Sequence, residues 1–258
     1  MPALRAFFIV KYVNNEMKID AKETIEDLQF AGLRFIQNDA VLKYGTDAVL
    51  LSSFIGLKEG EHFVEFGTGS GIVPVLLSGR VRTKMTAIEL QKQAAELAKR
   101  NMELNGLDHV QVVCGNLKQA TKLISTHVDV VAANPPYEPI SGGLKSEKEA
   151  ILIARHEVAC TLEEVVQNAS KLLKQGGRFY MVHKPWRLTE ILGLMRQYNL
   201  EAKQLRLVAE KSDSKPHLVL LKGVCGGKAG LDVLPALIMR EASGLYTKEL
   251  REIYHQES

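Results

Sequence analysis

Short β-branched and aromatic runs alternate with longer amphipathic stretches through the middle of this chain, and that alternation limits the fold more than any other feature. The runs fall at 62–66, 84–88, 110–114, 128–132 and 178–183. Between the second and third, residues 91–105 place Ala94, Ala95, Leu97, Ala98 and Met102 at helical spacing and end on Asn105-Gly106, a helix stop. Residues 163–174 repeat the pattern, with Val165, Val166, Ala169, Leu172 and Leu173 on one face and Gly176-Gly177 as the expected stop. Strand followed by helix followed by strand predicts a parallel sheet with crossover helices. A further helix is expected over 188–198. Strands over 204–208 and 217–222, joined by the polar turn 210–216, read as an antiparallel hairpin. The expected class is therefore α/β with helices on both faces of the sheet. The stretch before residue 60 and the tail after Val224 read as peripheral.

Composition narrows the function classes. The 258 residues suit one large α/β domain. An apolar share of 46% with 24% charged residues excludes a disordered or collagen-like chain. Cys114, Cys160 and Cys225 lie far apart without a CxxC pair, which fits a reducing compartment. No two histidines form an HxxxH pair, so no metal site is expected. No apolar run reaches the roughly 18 residues of a membrane helix. The apolar core at residues 6–10 is too short for a signal peptide and Lys11 interrupts it, so residues 1–29 read as a leader on a cytoplasmic protein. Met17 offers an alternative start. The net charge of +3 permits a nucleic-acid partner without requiring one.

The first motif with chemical content is Val64-Glu65-Phe66-Gly67-Thr68-Gly69-Ser70-Gly71. A strand enters a Gly-x-Gly-x-Gly turn, and Pro74 suits the opening turn of the helix that follows. Glycines there let the backbone pass close to a ligand. A plain strand-to-helix turn is the competing reading. A dinucleotide fingerprint fails because Ile72 follows Gly71, and a nucleophile elbow fails because Ser70 lacks glycines two residues away. Glu89 directly follows the next strand, where an acid can accept two ribose hydroxyls. Asn116 follows the strand after that. Its side chain suits either an adenine edge or an ordinary turn.

The second motif is Asn134-Pro135-Pro136-Tyr137, after the strand 128–132. That places it at the carboxyl edge, where open α/β sheets bind ligands. Two prolines fix the backbone and hold an amide and a carbonyl in set directions. This arrangement suits an exocyclic amine, whose lone pair is delocalised into its ring. The Asn134 oxygen and the Pro135 carbonyl would take its two hydrogens and localise that lone pair as attack begins. Tyr137 would stack on the base. The alternative is a rigid turn with a buried tyrosine.

Residues 64–71, Glu89 and 134–137, in that order, resemble the class I S-adenosylmethionine-dependent methyltransferases that act on planar amino groups. Gly45-Thr46-Asp47-Ala48-Val49-Leu50-Leu51, Arg155-His156-Glu157, Cys160-Thr161-Leu162-Glu163 and the tail Glu249-Leu250-Arg251-Glu252-Ile253-Tyr254 narrow the likeness to the bacterial tRNA1(Val) adenine-37 N6-methyltransferase family. The resemblance covers roughly residues 30–223, the expected methyltransferase domain, with 224–258 as a tail packed on it. It implies a Rossmann-like seven-stranded sheet, mostly parallel, with an antiparallel last strand. It implies that Glu65, Gly67, Gly69 and Gly71 cradle the methionine part and ribose of the cofactor S-adenosylmethionine. It places Glu89 on the ribose hydroxyls and Asn116 beside the adenine, where many relatives carry aspartate. The implied reaction is methylation of the exocyclic N6 of an adenosine next to the anticodon of a tRNA, by a monomer.

The stretch 171–187 contains Lys171, Lys174, Arg178, Lys184 and Arg187 and no acid, together with Tyr180, His183 and Trp186. Lys184 and Arg187 follow the fifth strand and so share the edge of Asn134. They are the expected nucleic-acid contacts. A solvated helix face is the alternative. The loop 141–148 is expected to close over substrate. Three other functions share parts of the pattern. A glutamine N5-methyltransferase acting on release factors presents the same planar nitrogen but usually carries a separate N-terminal helical domain. A DNA adenine methyltransferase would need a sequence-reading segment, and none is visible. A non-catalytic nucleic-acid-binding relative has no use for an intact Asn134–Tyr137 motif.

Overall fold

The computed structural model describes residues 19–41, 43–137 and 160–255. Met17 and the first part of the leader, the loop 141–148 and the triplet Arg155-His156-Glu157 lie outside the described residues.

The chain opens with an antiparallel hairpin of its own, β1 (Glu23–Asp27) and β2 (Arg34–Asn38). It continues through α1 (Thr46–Phe54), β3 (Phe63–Phe66), α2 (Ile72–Ser78), β4 (Met85–Glu89), α3 (Lys92–Leu104), β5 (Val110–Cys114), α4 (Ala120–Leu123) and β6 (Val128–Ala133). After residue 160 come α5 (Leu162–Leu172), β7 (Leu173–His183), α6 (Leu188–Gln197), β8 (Leu200–Ala209), β9 (Leu218–Cys225), β10 (Asp232–Ile238) and α7 (Lys248–Ile253). Eight described strands form the main sheet in the order β10-β8-β9-β7-β6-β3-β4-β5.

β3 pairs in parallel with β4 and β6, and the parallel run extends to β5 on one side and β7 on the other. β9 is inserted antiparallel between β7 and β8. This is the Rossmann-like α/β sheet that the alternation predicts, with its seventh core strand reversed. Side chains on β6 alternate between two cores. Val130 and Ala132 join α1, α2, α3 and α7 on one face, while Val131 and Ala133 join α4, α5 and α6 on the other. That period of two explains why the central strands read as continuous apolar runs: both of their faces are covered.

The stretch before residue 60 is not peripheral, since Phe35 and Ala48, Val49, Leu50 and Leu51 are buried in the core. Two further features depart from the expectations drawn from sequence. The tail after Val224 supplies β10, an eighth strand parallel to β8 at the sheet edge. Its ladder shifts between Leu234 and Leu237, around Pro235, which an edge strand tolerates because its outer side needs no donor. The second departure concerns Gly176-Gly177. The helix ends at Leu172 instead, and both glycines lie inside β7 where its ladder with β6 skips from Leu173 to Arg178. Gly176 has φ +76°, and a Cβ on Gly177 would come within 2.8 Å of the Lys174 carbonyl, so these glycines serve a strand bulge and not a helix stop. The Cys160–Glu163 run starts a helix. Thr161 caps α5 by accepting the Glu164 N–H at 3.2 Å, and Glu164 accepts the Thr161 N–H in return at 2.8 Å.

Candidate active site

Because β3 to β7 run in parallel, the segments that leave their carboxyl ends meet along one edge. The register sets Phe66 beside Ile88 and Ala133. The glycine turn after Phe66 therefore lies between Glu89 and Asn134.

Gly67, Gly69 and Gly71 all adopt left-handed backbone, with φ of 68°, 57° and 90°. A Cβ on Gly67 or Gly69 would meet nothing within 4 Å, so those two line open space. Gly71 is different: a Cβ there would strike Met102 at 2.7 Å, so it lets α2 start against α3. Glu89 is buried, 1% exposed, and is not a solvated acid at a strand end. Its carboxylate accepts the Gly69 N–H at 2.9 Å and the Gln91 N–H at 2.8 Å, tying the turn to the end of β4. Each oxygen keeps a further lone pair for a ligand hydroxyl.

Glu65 is also buried, and the Thr68 hydroxyl donates to it. Burial pushes its carboxyl up to about 8, the Thr68 bond opposes that rise and the nearby Glu89 charge adds to it. Among the described residues no cation acts on Glu65. A buried acid without a counter-charge, an open glycine cradle and a second carboxylate with spare lone pairs fit a cationic ligand that carries neighbouring hydroxyls. S-adenosylmethionine has both. Asn116 supports its own turn. Its oxygen accepts the Lys118 N–H at 2.9 Å and caps a 3-10 turn, Leu117–Gln119.

The Asn134-Pro135-Pro136-Tyr137 segment leaves β6 between the glycine turn and the end of β7. The Tyr137 hydroxyl lies 2.9 Å from the Asn134 side-chain oxygen and 2.5 Å from a carboxylate oxygen of Asp47. Burial, with the Asp47 charge in support, raises Tyr137 well above the ordinary phenol value, so it stays neutral. The edge of its ring meets His183 at 5.2 Å between centroids, and the Lys184 ammonium sits 4.9 Å from the ring centre. His183 is fully buried and accepts the Lys184 N–H on Nδ1 at 2.8 Å, which puts its own proton on Nε2. Burial, reinforced by the Arg187 charge, lowers it to about 4, so it too is neutral near pH 7.

His183 ends the fifth strand and so shares the edge expected for Asn134, but nothing local in the sequence marks Asp47 as a neighbour of this segment. Asp47 belongs to a run that matches by resemblance, which is the one signal that points to it. The rim also differs from its appearance in the sequence. Arg187 is held by Glu190 through two bonds of 2.9 and 2.7 Å, Arg178 by Glu61 at 2.6 Å, and Lys174 by Asp129. Trp186, 63% exposed, stands beside the site, with the Arg187 guanidinium 5.8 Å from its ring. Among the described residues, no cluster of three or more His, Cys, Asp or Glu is placed to hold a metal ion, and no helix is long and apolar enough to cross a membrane.

Known proteins are similar to this chain in sequence and in fold. The tRNA1(Val) (adenine(37)-N6)-methyltransferase of Bacteroides fragilis is 29% identical over 156 residues, 60% of this chain and 65% of that protein. The chain thus spans just under two thirds of that relative. The enzyme of the same name from Porphyromonas gingivalis is 27% identical over 225 residues, covering 83% of this chain and 87% of its own. The solved structure of a predicted O-methyltransferase from Agrobacterium tumefaciens superposes with a TM-score of 0.67 at 21% identity, covering 82% of this chain and 96% of that one, and so shares the fold. A family model described as methyltransferase small domain matches residues 39–210, more than half of the chain. The family and its fold imply S-adenosylmethionine as the methyl donor. With that match and the glycine turn, Glu89 and Asn134 along one sheet edge, the chain belongs to the methyltransferase small domain family.

Proposed function

We propose that this protein methylates the exocyclic N6 of an adenosine next to the anticodon of a tRNA. The names of its relatives support that substrate class. The observation that carries the reading is the Asn134 oxygen, an amide acceptor at the sheet edge, 2.9 Å from the Tyr137 hydroxyl. An aromatic amine needs acceptors for its hydrogens and a flat surface beneath its ring, and this segment supplies both.

S-adenosylmethionine supplies an electrophilic methyl group on a sulfonium. Glu89 would hold the ribose hydroxyls, the glycine turn would take the backbone of the methionine part, and Glu65 would face its positive charge. Asn134 and the Pro135 carbonyl accept the two amine hydrogens, so the nitrogen lone pair turns toward the methyl group. The bound donor would supply the methyl group with loss of its S–C bond, and the amine's surplus proton would leave to water because a methylated exocyclic arylammonium is a strong acid. Acceptors aimed at that developing charge act mainly in the transition state. Tyr137 holds the base flat, Lys184 and Trp186 line the approach of the RNA, and Asn116 faces the adenine of the donor. The reading carries with it a cytoplasmic monomer that works without a metal.

Methyl transfer from a tritiated donor to total tRNA, a release-factor protein and DNA, run in parallel, tests the proposal. Label is expected in tRNA, as N6-methyladenosine on nucleoside analysis. The Asn134→Ala variant should turn over about a hundredfold more slowly with nearly unchanged donor affinity, the size expected for one lost transition-state hydrogen bond. Label in the release factor alone would favour the glutamine reading.

A further inference from the structure

The Gly45-Thr46-Asp47 run meets the catalytic segment across ninety positions of sequence. One phenol proton faces two acceptors there, Asp47 at 2.5 Å and Asn134 at 2.9 Å. A tyrosine hydroxyl donates only one hydrogen bond. A bond to a carboxylate is roughly twice as strong as one to a neutral amide, so the proton belongs to Asp47. We propose that Asp47 is a positioning residue: by holding the Tyr137 hydroxyl proton it keeps the Asn134 oxygen available for the substrate amine.

The rest of the run serves the same end. Asp47 stands in the first turn of α1, where its other oxygen accepts the Ala48 N–H at 2.9 Å and the helix dipole favours a negative charge. A Cβ on Gly45 would lie 2.7 Å from that oxygen, so a side chain at this position would displace the carboxylate. Thr46 receives the hydroxyl of Tyr254, from the residue that caps α7, at 2.9 Å. The tail thereby braces the helix end that carries Asp47. Without Asp47, the phenol proton turns to Asn134 and competes with the amine for its oxygen.

This inference rests on the methyl-transfer reading, and its test separates the two. The Asp47→Asn variant keeps shape and weakens the acceptor. Its single-turnover rate on saturating substrate should fall about tenfold, the scale of one charge-assisted bond, with donor affinity within about twofold of the parent. Tyr137→Phe alone should slow the parent enzyme several-fold. Added to Asp47→Asn it should instead raise the rate, because the competing proton is gone. A double variant no faster than Asp47→Asn overturns the proposal. A second measurement needs no substrate. Ultraviolet titration of the tyrosines should show one group, the one that Tyr137→Phe removes, ionising at lower pH in Asp47→Asn than in the parent. An unmoved titration also overturns it. A parent enzyme inactive on every acceptor, with that titration shifted, would sink the substrate reading and leave the Asp47–Tyr137 contact standing.

Discussion

The Asn101 side chain pairs with the backbone of Ile36 in both directions. Its oxygen accepts the Ile36 N–H at 2.7 Å, and its amide donates to the Ile36 carbonyl at 3.1 Å. Asn105 repeats the pattern with Arg34, at 2.8 and 2.7 Å. Four residues along a helix rise about 6 Å and two along a strand about 6.6 Å, so asparagines at i and i+4 match alternate residues of β2. The amides of α3 thus stand in for a neighbouring strand. Asn101 also donates to the Ser70 carbonyl at 2.9 Å, so one buried side chain fastens the N-terminal hairpin to the glycine turn.

Asn101→Ala should therefore destabilise the protein by about 3 kcal/mol or more, since buried backbone groups of Ile36 and Ser70 lose their partners. Asn105→Ala should cost less, because its bonds to Arg34 are exposed. Chemical denaturation of the two variants compares them. Equal midpoints would show that the buried pairing contributes nothing special.

Glu89→Ala should weaken donor binding by about 1–3 kcal/mol, through loss of a hydrogen-bonded buried carboxylate. It also frees the Gly69 N–H from its 2.9 Å partner, so the turn should become more susceptible to hydrogen exchange. Calorimetry with a folded variant measures the first effect. Unchanged affinity would remove Glu89 from the donor site.

Glu65 gives the protein a pH dependence. Its carboxyl is raised in the folded chain, from the ordinary 4.5 to about 8, by burial. A raised acid favours the protonated fold, so its contribution is fully present below the unfolded value and is lost as pH rises through the folded one. Relative to Glu65→Gln, the unfolding free energy of the parent should fall between those two values. Binding a cationic donor should draw the proton off and release it near pH 7. Calorimetry in buffers of different ionisation enthalpy counts that proton, and a binding heat that does not change with the buffer would contradict the assignment.

Trp186 is the only tryptophan, so its fluorescence reports directly on its surroundings. Binding of tRNA should quench it, as expected for a base stacked on an exposed ring. Lys184→Ala should lower the salt slope of binding by about one unit. Arg187→Ala should change it less, because Glu190 already holds that guanidinium through two bonds. Equal slope changes in both variants would mean that the Arg187–Glu190 pair opens on RNA.

Strands β3 to β9, the glycine turn and the Asn134–Tyr137 segment are legible in the sequence because each is local. Burial on both faces writes itself as continuous apolar runs, a left-handed turn needs glycines at set positions, and two prolines stiffen whatever strand they follow. The edge strand β10 is not legible, because Pro235 stands in the middle of its apolar run and a proline argues against a strand. The bulge at Gly176-Gly177 reads as a helix stop, since a glycine pair signals left-handed backbone without saying which element it interrupts.

Sequence alone thus determined the order of elements and the chemistry available at the ends of β3, β4 and β6. Tertiary structure decided which of those groups act together. Asp47 reaches Tyr137 only because α1 packs beside β7 and presents its first turn to the sheet edge, and three of the five cations in 171–187, Lys174, Arg178 and Arg187, are paired by Asp129, Glu61 and Glu190. A hydrogen bond or ion pair depends on distance in space, and the packing of α1 and β3 to β7 around a common core sets that distance between residues that no local pattern connects.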